Sequence, residues 1–392
     1  MSELVMPQRP QPSSPVSSRQ KIVSILLNMV FLLALLYIFL YAIALFGAAF
    51  KLMGKGFSEQ LIATTSNPVV GLMIGLLATS VIQSSSSSTS IVVGMVSGGV
   101  LTVRGAIPII MGANMGTTVT NTLVAMTSMN RRKEFQLSFA GATMHDFFNL
   151  MAIAILFPIE QATHYLERTA GWISLHLAGA EGTEFPNPVK VIVKPAVKQT
   201  EHLLKDVLDL PHGLQTVVMV VLALVGIFVA LTFLTRLLKG LVLSRAEGSF
   251  TDKLNSSGMA AMLMGLLVTV GVQSSSITTS LLVPLIGAGI VPLEAAFAAT
   301  LGANIGTTVT AMLASLTGSP QAVTVALVHT LFNVTGILII YPIKAIRHIP
   351  IRLATGLARH VARRRSFAFL YMVGVFFLLP LVFVMIDKLA RS

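Results

Sequence analysis

The chain has 392 residues, 54% of them apolar and only 11% charged, with a mean hydropathy of +0.82 and a net charge of +12. That balance excludes an ordinary soluble domain, and the basic residues sit in short loops between apolar runs, a pattern of membrane topology and not of nucleic-acid binding. No cysteine occurs, which excludes disulfides and thiolate chemistry together, and the eight scattered histidines give little basis for zinc.

Residues 1–21, rich in Pro, Gln and Ser, read as a disordered tail. Residues 24–50 form an apolar run in which Asn28 is the one strongly polar residue, long enough against the roughly 20 residues a bilayer core requires. The stretch Gln83-Ser-Ser-Ser-Ser-Ser-Thr-Ser90 then places eight polar residues between uncharged apolar segments, inside a predicted hairpin at 68–97. Hydroxyls and amides survive at that depth only where protein or a wet cavity receives them. Next come an interrupted helix at 104–126 carrying Gly112-Ala-Asn-Met-Gly-Thr-Thr-Val-Thr120, and a span at 135–159 carrying His145-Asp-Phe-Phe-Asn149. Residues 162–176 read as an amphipathic helix with the single tryptophan, Trp172, suited to the membrane interface.

The second half restates the first. Gln273-Ser-Ser-Ser-Ile-Thr-Thr-Ser280 matches the serine stretch at six of eight positions, and Gly302-Ala-Asn-Ile-Gly-Thr-Thr-Val-Thr310 matches its partner at eight of nine, both at an offset of 190 residues. His329-Thr-Leu-Phe-Asn333 follows in the same order. The predicted elements are a span at 212–238, a hairpin at 258–287, an interrupted helix at 292–316 and a span at 321–343. An amphipathic helix at 344–365 and an unpaired last span at 367–386 complete the chain. Ordered matches at fixed spacing mark an internal duplication.

Three crossings per unit are odd, so the second copy is expected upside down. Loop charge agrees: Arg131-Arg-Lys133 has an uncharged counterpart at 317–321, while the segment 160–209, with seven acidic and five basic residues, corresponds to 344–365 with seven basic and none acidic. Taking positive loops as cytoplasmic puts the N-terminus, Arg131, 236–253 and 344–365 inside and 160–209 outside. The expectation is an all-α polytopic membrane protein of two inverted-topology repeats, each with a re-entrant helical hairpin and an interrupted transmembrane helix. The boundaries are a cytoplasmic tail (1–21), repeat 1 (22–160, hairpin 68–97), an external loop with an interfacial helix (161–211), repeat 2 (212–344, hairpin 258–287), a basic interfacial helix (345–365) and a C-terminal transmembrane helix (366–392).

A hairpin tip that begins a helix presents N–H groups without partners and the positive end of a helix dipole. Ser84, Ser85 and Ser86, with Ser274, Ser275 and Ser276 from the other half, add hydroxyl donors, a ring suited to an oxyanion. No Lys or Arg lies in either hairpin, so bound cations have to meet the remaining charge. Sodium suits the hard oxygen ligands that remain. Gln83, Gln273, Asn114, Thr117, Thr118, Asn304, Thr307 and Thr308 are assigned to sodium or to hairpin support. The glycines flanking each Asn are expected to let the helix unwind and expose carbonyls. Asp146 is the one carboxylate predicted near a helix interior, and with Asn149 and Asn333 it is a candidate for the same role; His145 and His329 read as satisfied interhelical histidines. Serines in membrane helices also serve close packing, yet a glutamine and three serines duplicated at one spacing favour binding.

With these residues in view, the chain resembles the type II sodium-dependent phosphate cotransporters and their bacterial relatives. The resemblance rests on Gln83 to Ser86, Gln273 to Ser276, the two GANxGTT motifs and His145 to Asn149, across about residues 24–343. It implies sodium-driven uptake of inorganic phosphate, with the paired QSSS motifs contacting phosphate and sodium, sodium as co-substrate, no cofactor and no enzymatic activity. The loop between the halves is short and lacks cysteine and a glycosylation sequon, so the resemblance is to a bacterial member in the inner membrane. The bilayer is the expected surrounding, and a homodimer is left open. Alternatives are symport of sulfate or a dicarboxylate, an anion channel, and an intramembrane serine hydrolase, the last disfavoured because duplicated serines single out no nucleophile.

Overall fold

The computed structural model describes residues 18–53, 56, 59, 62–63, 65–177, 188–246 and 249–391. The expected tail falls at 1–17 outside the described residues, and its last four positions instead open the first helix. All regular elements among the described residues are helical, as an apolar chain must arrange when the bilayer offers its backbone no hydrogen bonds.

The first half contains α1 (Ser18–Leu52), α2 (Pro68–Ile82), α3 (Ser85–Ser97), α4 (Val103–Gly116), α5 (Thr118–Met126), α6 (Arg132–Thr163) and α7 (Tyr165–Leu177). After α8 (Pro188–His202) and a π-helical turn come α9 (His212–Ala246), α10 (Ser249–Ser256), α11 (Gly258–Val272), α12 (Ser275–Gly287), α13 (Leu293–Ser315), α14 (Pro320–Ile340) and α15 (Lys344–Arg363). The last span is α16 (Ser366–Val373), a π-helical turn at Gly374–Leu378, and α17 (Leu379–Arg391). Six helices among the described residues are long and apolar enough to cross a membrane; α4 and α5, separated by one residue, make up a further predicted span. The chain is a multi-pass membrane protein.

Packing follows the duplication. Helices α2 and α4 form one tight pair and α11 and α13 the other, while α3 packs on α13 and α14 as α12 packs on α5 and α6. Likewise α15 lies along α6 as α7 lies along α14. Each half is therefore completed by the other. Helices α1 and α9 pack together through Phe39, Ile43, Ile227 and Leu231, and α8, which the sequence reading did not separate from its loop, buries Val193 and Val197 in the cluster that holds Leu45 and Met219.

One expectation is overturned. The helix through Asn304 is continuous from Leu293 to Ser315, and the break in the first half falls at Thr117, after Asn114, with the backbone still in the right-handed helical region (φ −65°, ψ −26°). The glycines do not unwind the helix. A Cβ at Gly112 would lie 1.9 Å from the Leu72 carbonyl oxygen, and one at Gly302 would lie 1.8 Å from that of Met262. They are glycines because backbones of paired helices touch there, the small-residue contact that membrane helices use for close approach.

Candidate functional site

The two serine stretches start helices in the same way. Gln83 and Gln273 end α2 and α11 in the left-handed region (φ 60° and 57°), and Ser84 and Ser274 then return to extended backbone as N-caps of α3 and α12. The Ser84 hydroxyl accepts from the Ser87 N–H at 3.2 Å and the Ser274 hydroxyl from the Ile277 N–H at 3.4 Å. A left-handed non-glycine residue costs about 1–2 kcal/mol, and each glutamine side chain offsets this locally. Gln83 Nε2 donates to the Ser80 carbonyl at 3.2 Å while its Oε1 accepts from Thr120 at 3.0 Å. Gln273 repeats the pattern with Val270 at 2.7 Å and Thr310 at 2.9 Å. The glutamines thus lock the turns to the neighbouring helices.

The two turns meet. The Ser86 hydroxyl donates to the Gln273 carbonyl at 3.5 Å, which brings the starts of α3 and α12 to one place although 187 residues separate those partners. Ser85, Ser86 and Ser275 are buried; Ser84, Ser274 and Ser276 are partly so. The N–H groups of Ser85, Ser86, Ser275 and Ser276 lead their helices and have no acceptor among the described residues. The hydroxyls of Ser85, Ser275 and Ser276 likewise are not used by other described groups. The arrangement gathers donors from both halves without a cationic side chain in either serine-bearing helix pair.

Beside it lies a second polar assembly, built from the duplicated Asn and His positions. Asn114 on α4 donates through Nδ2 to Asn333 Oδ1 on α14 at 2.6 Å, and Asn304 on α13 donates to Asn149 Oδ1 on α6 at 3.1 Å. His329 Nε2 meets Asn114 Oδ1 at 3.0 Å and His145 Nε2 meets Asn304 Oδ1 at 2.8 Å. Asn149 and Asn333 also donate to the backbone carbonyls of Asn114 and Asn304, at 3.2 and 3.1 Å. All six side chains are buried. Since amide oxygens accept, the bond to Asn114 Oδ1 assigns the Nε2–H tautomer to His329, while His145 Nε2 stands between Asn304 Oδ1 and, at 3.0 Å, Asn149 Nδ2, with the Thr118 hydroxyl 3.2 Å from its Nδ1. Every bond between Asn side chains joins opposite halves, so this network stitches the two repeats together.

The other nominated residues lie close to these groups in sequence. Thr307 donates to the Ala303 carbonyl and Thr308 to that of Ile305, both within α13. Thr117 caps no helix with its side chain. Asp146 is buried on α6; its Oδ2 accepts from the Tyr371 hydroxyl at 2.8 Å, its Oδ1 forms no hydrogen bond among the described residues, and the Thr118 hydroxyl is the other donor beside it. Besides Tyr371, three participants were not foreseen. Thr120 and Thr310 were legible, since both close the duplicated GANxGTTVT motif. Asn121, which accepts from Thr279 at 2.9 Å and Ser280 at 3.0 Å, has Ala311 as its counterpart and so carried no repeat signal.

The family model described as Na+/Pi-cotransporter matches residues 38–175 and 217–379. The chain is similar to sodium-dependent phosphate transport protein 2B of Pongo abelii and of Homo sapiens, at 35% identity over 90% of this chain and 64% of each relative. It is also similar to sodium-dependent phosphate transport protein 2A of Mus musculus, at 36% identity over 91% of this chain and 67% of the relative. The chain thus spans under two thirds of the length of the 2B proteins. No solved structure matches it. A family model covering most of its length, and motifs that fold onto one another as described, place the chain in the Na+/Pi-cotransporter family.

Proposed function

We propose that this protein is a secondary active symporter that couples inward sodium movement to uptake of inorganic phosphate. The observation that carries this reading is the meeting of two helix starts at Ser86 and Gln273, with four N–H groups that have no acceptor among the described residues and serines contributed by both halves. Each helix N-terminus supplies about half a positive charge, so the pair offers about +1 against a phosphate charge of about −1 to −2. In a site shielded from water that deficit is costly, and no Lys or Arg in either helix pair makes it up. Sodium supplies the difference and so becomes obligatory.

In this reading Ser84, Ser85, Ser86, Ser274, Ser275 and Ser276 hold phosphate. Gln83 and Gln273 fix the turns, with Thr117, Thr118, Thr307 and Thr308 near the sodium ions. Asn114, Asn304, Asn149 and Asn333 form the frame against which the turns move, and Asp146 contributes to one sodium site in the first half only, since Thr330 takes its place in the second. The helix pairs 68–97 and 258–287 are re-entrant hairpins entering from opposite faces, and repeats 22–160 and 212–344 are inverted. The swapped packing of α3 and α12 on the opposite half supports this arrangement, as does the reversal of loop charge. The amphipathic helix at 162–176, in the external loop 161–211, and the one at 345–365 lie in the two interfaces, the protein resides in a bacterial inner membrane, and the reaction involves no covalent chemistry.

Equilibrium binding to purified protein in detergent tests the site itself. Phosphate should bind in sodium chloride and not in choline chloride, with sulfate and dicarboxylates competing weakly. Equal binding in choline removes the coupling, and strong displacement by sulfate changes the substrate.

A further inference from the structure

We propose that Tyr371, on the last span outside both repeats, is a positioning residue for Asp146, and that the last span holds the first half in its ion-binding geometry. The inference rests on the reading of Asp146 as a sodium ligand. Two carboxylates are buried among the described residues. Glu160 has both oxygens engaged, accepting from the N–H groups of Leu166 and Glu167 at the start of α7. Asp146 Oδ2 accepts from the Tyr371 hydroxyl at 2.8 Å, and its buried Oδ1 forms no hydrogen bond among the described residues, the Thr118 hydroxyl being the other donor beside the carboxylate. A carboxylate tethered by one oxygen keeps a fixed rotamer and leaves the other oxygen's lone pairs for a cation.

The tether is itself held. The Tyr371 ring stands edge-on to Phe139 at 6.2 Å and to Phe376 at 5.8 Å. Phe376 is fully buried within the π-helical turn at Gly374–Leu378, where the helix widens by a residue. The rest of the span is largely exposed, so apolar burial gives it little reason to sit where it does. Its far end carries a second polar anchor. Asp387 Oδ1 accepts from Asn67 Nδ2 at 2.8 Å, and Arg391 reaches the Ala63 carbonyl and the Ser66 hydroxyl.

Asn67 is the N-cap of α2, its Oδ1 accepting from the Val69 N–H at 3.1 Å. One added span therefore grips both the base of the first serine-bearing helix pair and the carboxylate on α6. Among the described residues the second half has neither partner. Ser257 caps α11 through its own hydroxyl, and Thr330, at the position of Asp146, bonds the Ala326 carbonyl within its own helix. The duplication alone yields a symmetric site, and the last span is what makes the first half different.

The test is a double-mutant cycle of D146N and Y371F in proteoliposomes, reading the half-saturating sodium concentration and, separately, the half-saturating phosphate concentration at saturating sodium. Tyr371→Phe removes only the hydroxyl and keeps the ring contacts. It should raise the sodium requirement about tenfold, the size of one hydrogen bond to a charged group, while the phosphate value stays fixed. In the D146N background it should change nothing further. An unchanged sodium requirement in Y371F, with D146N shifted, overturns the role of Tyr371, as does an equal effect in both backgrounds. An unchanged D146N overturns the assignment of Asp146 and the inference with it. Should a variant fail to reconstitute, the sodium dependence of its thermal unfolding in detergent gives the same comparison without transport.

Discussion

Gln273 offers the sharpest separation between backbone geometry and side-chain bonding at a serine turn. Its φ of 57° is a conformation that glycine adopts freely and alanine does not. Replacing it by glycine relieves about 1 kcal/mol of left-handed strain but removes the bonds to the Val270 carbonyl and to Thr310, at about 1 kcal/mol each. The net loss is about 1 kcal/mol, which bounds the weakening of phosphate binding at about fivefold. Alanine loses both bonds with no relief, about 2 kcal/mol, for a bound of about 30-fold. The assay is the half-saturating phosphate concentration for uptake at saturating sodium, and the expected order is wild type, then Gln273→Gly, then Gln273→Ala. A glycine variant equal to or tighter than wild type would show that the side chain is dispensable and that only the backbone turn matters.

Alanine at Ser85 or at Ser275 removes a hydroxyl that no other described group uses, so each should raise the half-saturating phosphate concentration by about two- to tenfold with normal yield of folded protein; wild-type affinity in both returns these serines to packing. Gly302→Ala drives a methyl group into the Met262 carbonyl and should destabilise the protein by about 1–3 kcal/mol or more, read as a lowered unfolding temperature in detergent; an unchanged temperature contradicts the close backbone contact. Because the chain has no cysteine, a single thiol at Trp172 or at Arg359, exposed positions on the corresponding amphipathic helices of the two halves, reports its side of the membrane through an impermeant maleimide. Labelling of the two from opposite sides is expected, and labelling from the same side contradicts the inverted arrangement.

The serine turns were legible because a duplicated sequence repeats its identities at a fixed offset, and the residues that lock the turns, Thr120 and Thr310, were inside the repeated motif. What a repeat does not state is which copy answers which. Asn114 and Asn304 were visible as a pair, yet their partners, Asn333 and Asn149, lie in the opposite halves, and only the swapped packing of helices reveals that. The glycines beside them were misread for a physical reason: glycine permits unwinding and also permits contact, and sequence does not distinguish these until the facing carbonyl is known. Positions outside the repeat gave no such signal. Asn121 faces Thr279 and Ser280 without a duplicated counterpart. Tyr371 belongs to a span that occurs once, and its meeting with Asp146 joins residues 225 positions apart.

Sodium coupling is the central prediction, because two helix starts without a cationic side chain leave part of a phosphate ion's charge unmatched. Purified protein in liposomes, supplied with radiolabelled phosphate outside, should accumulate it under an inward sodium gradient and take up none when potassium replaces sodium. Equal uptake in potassium would contradict the account.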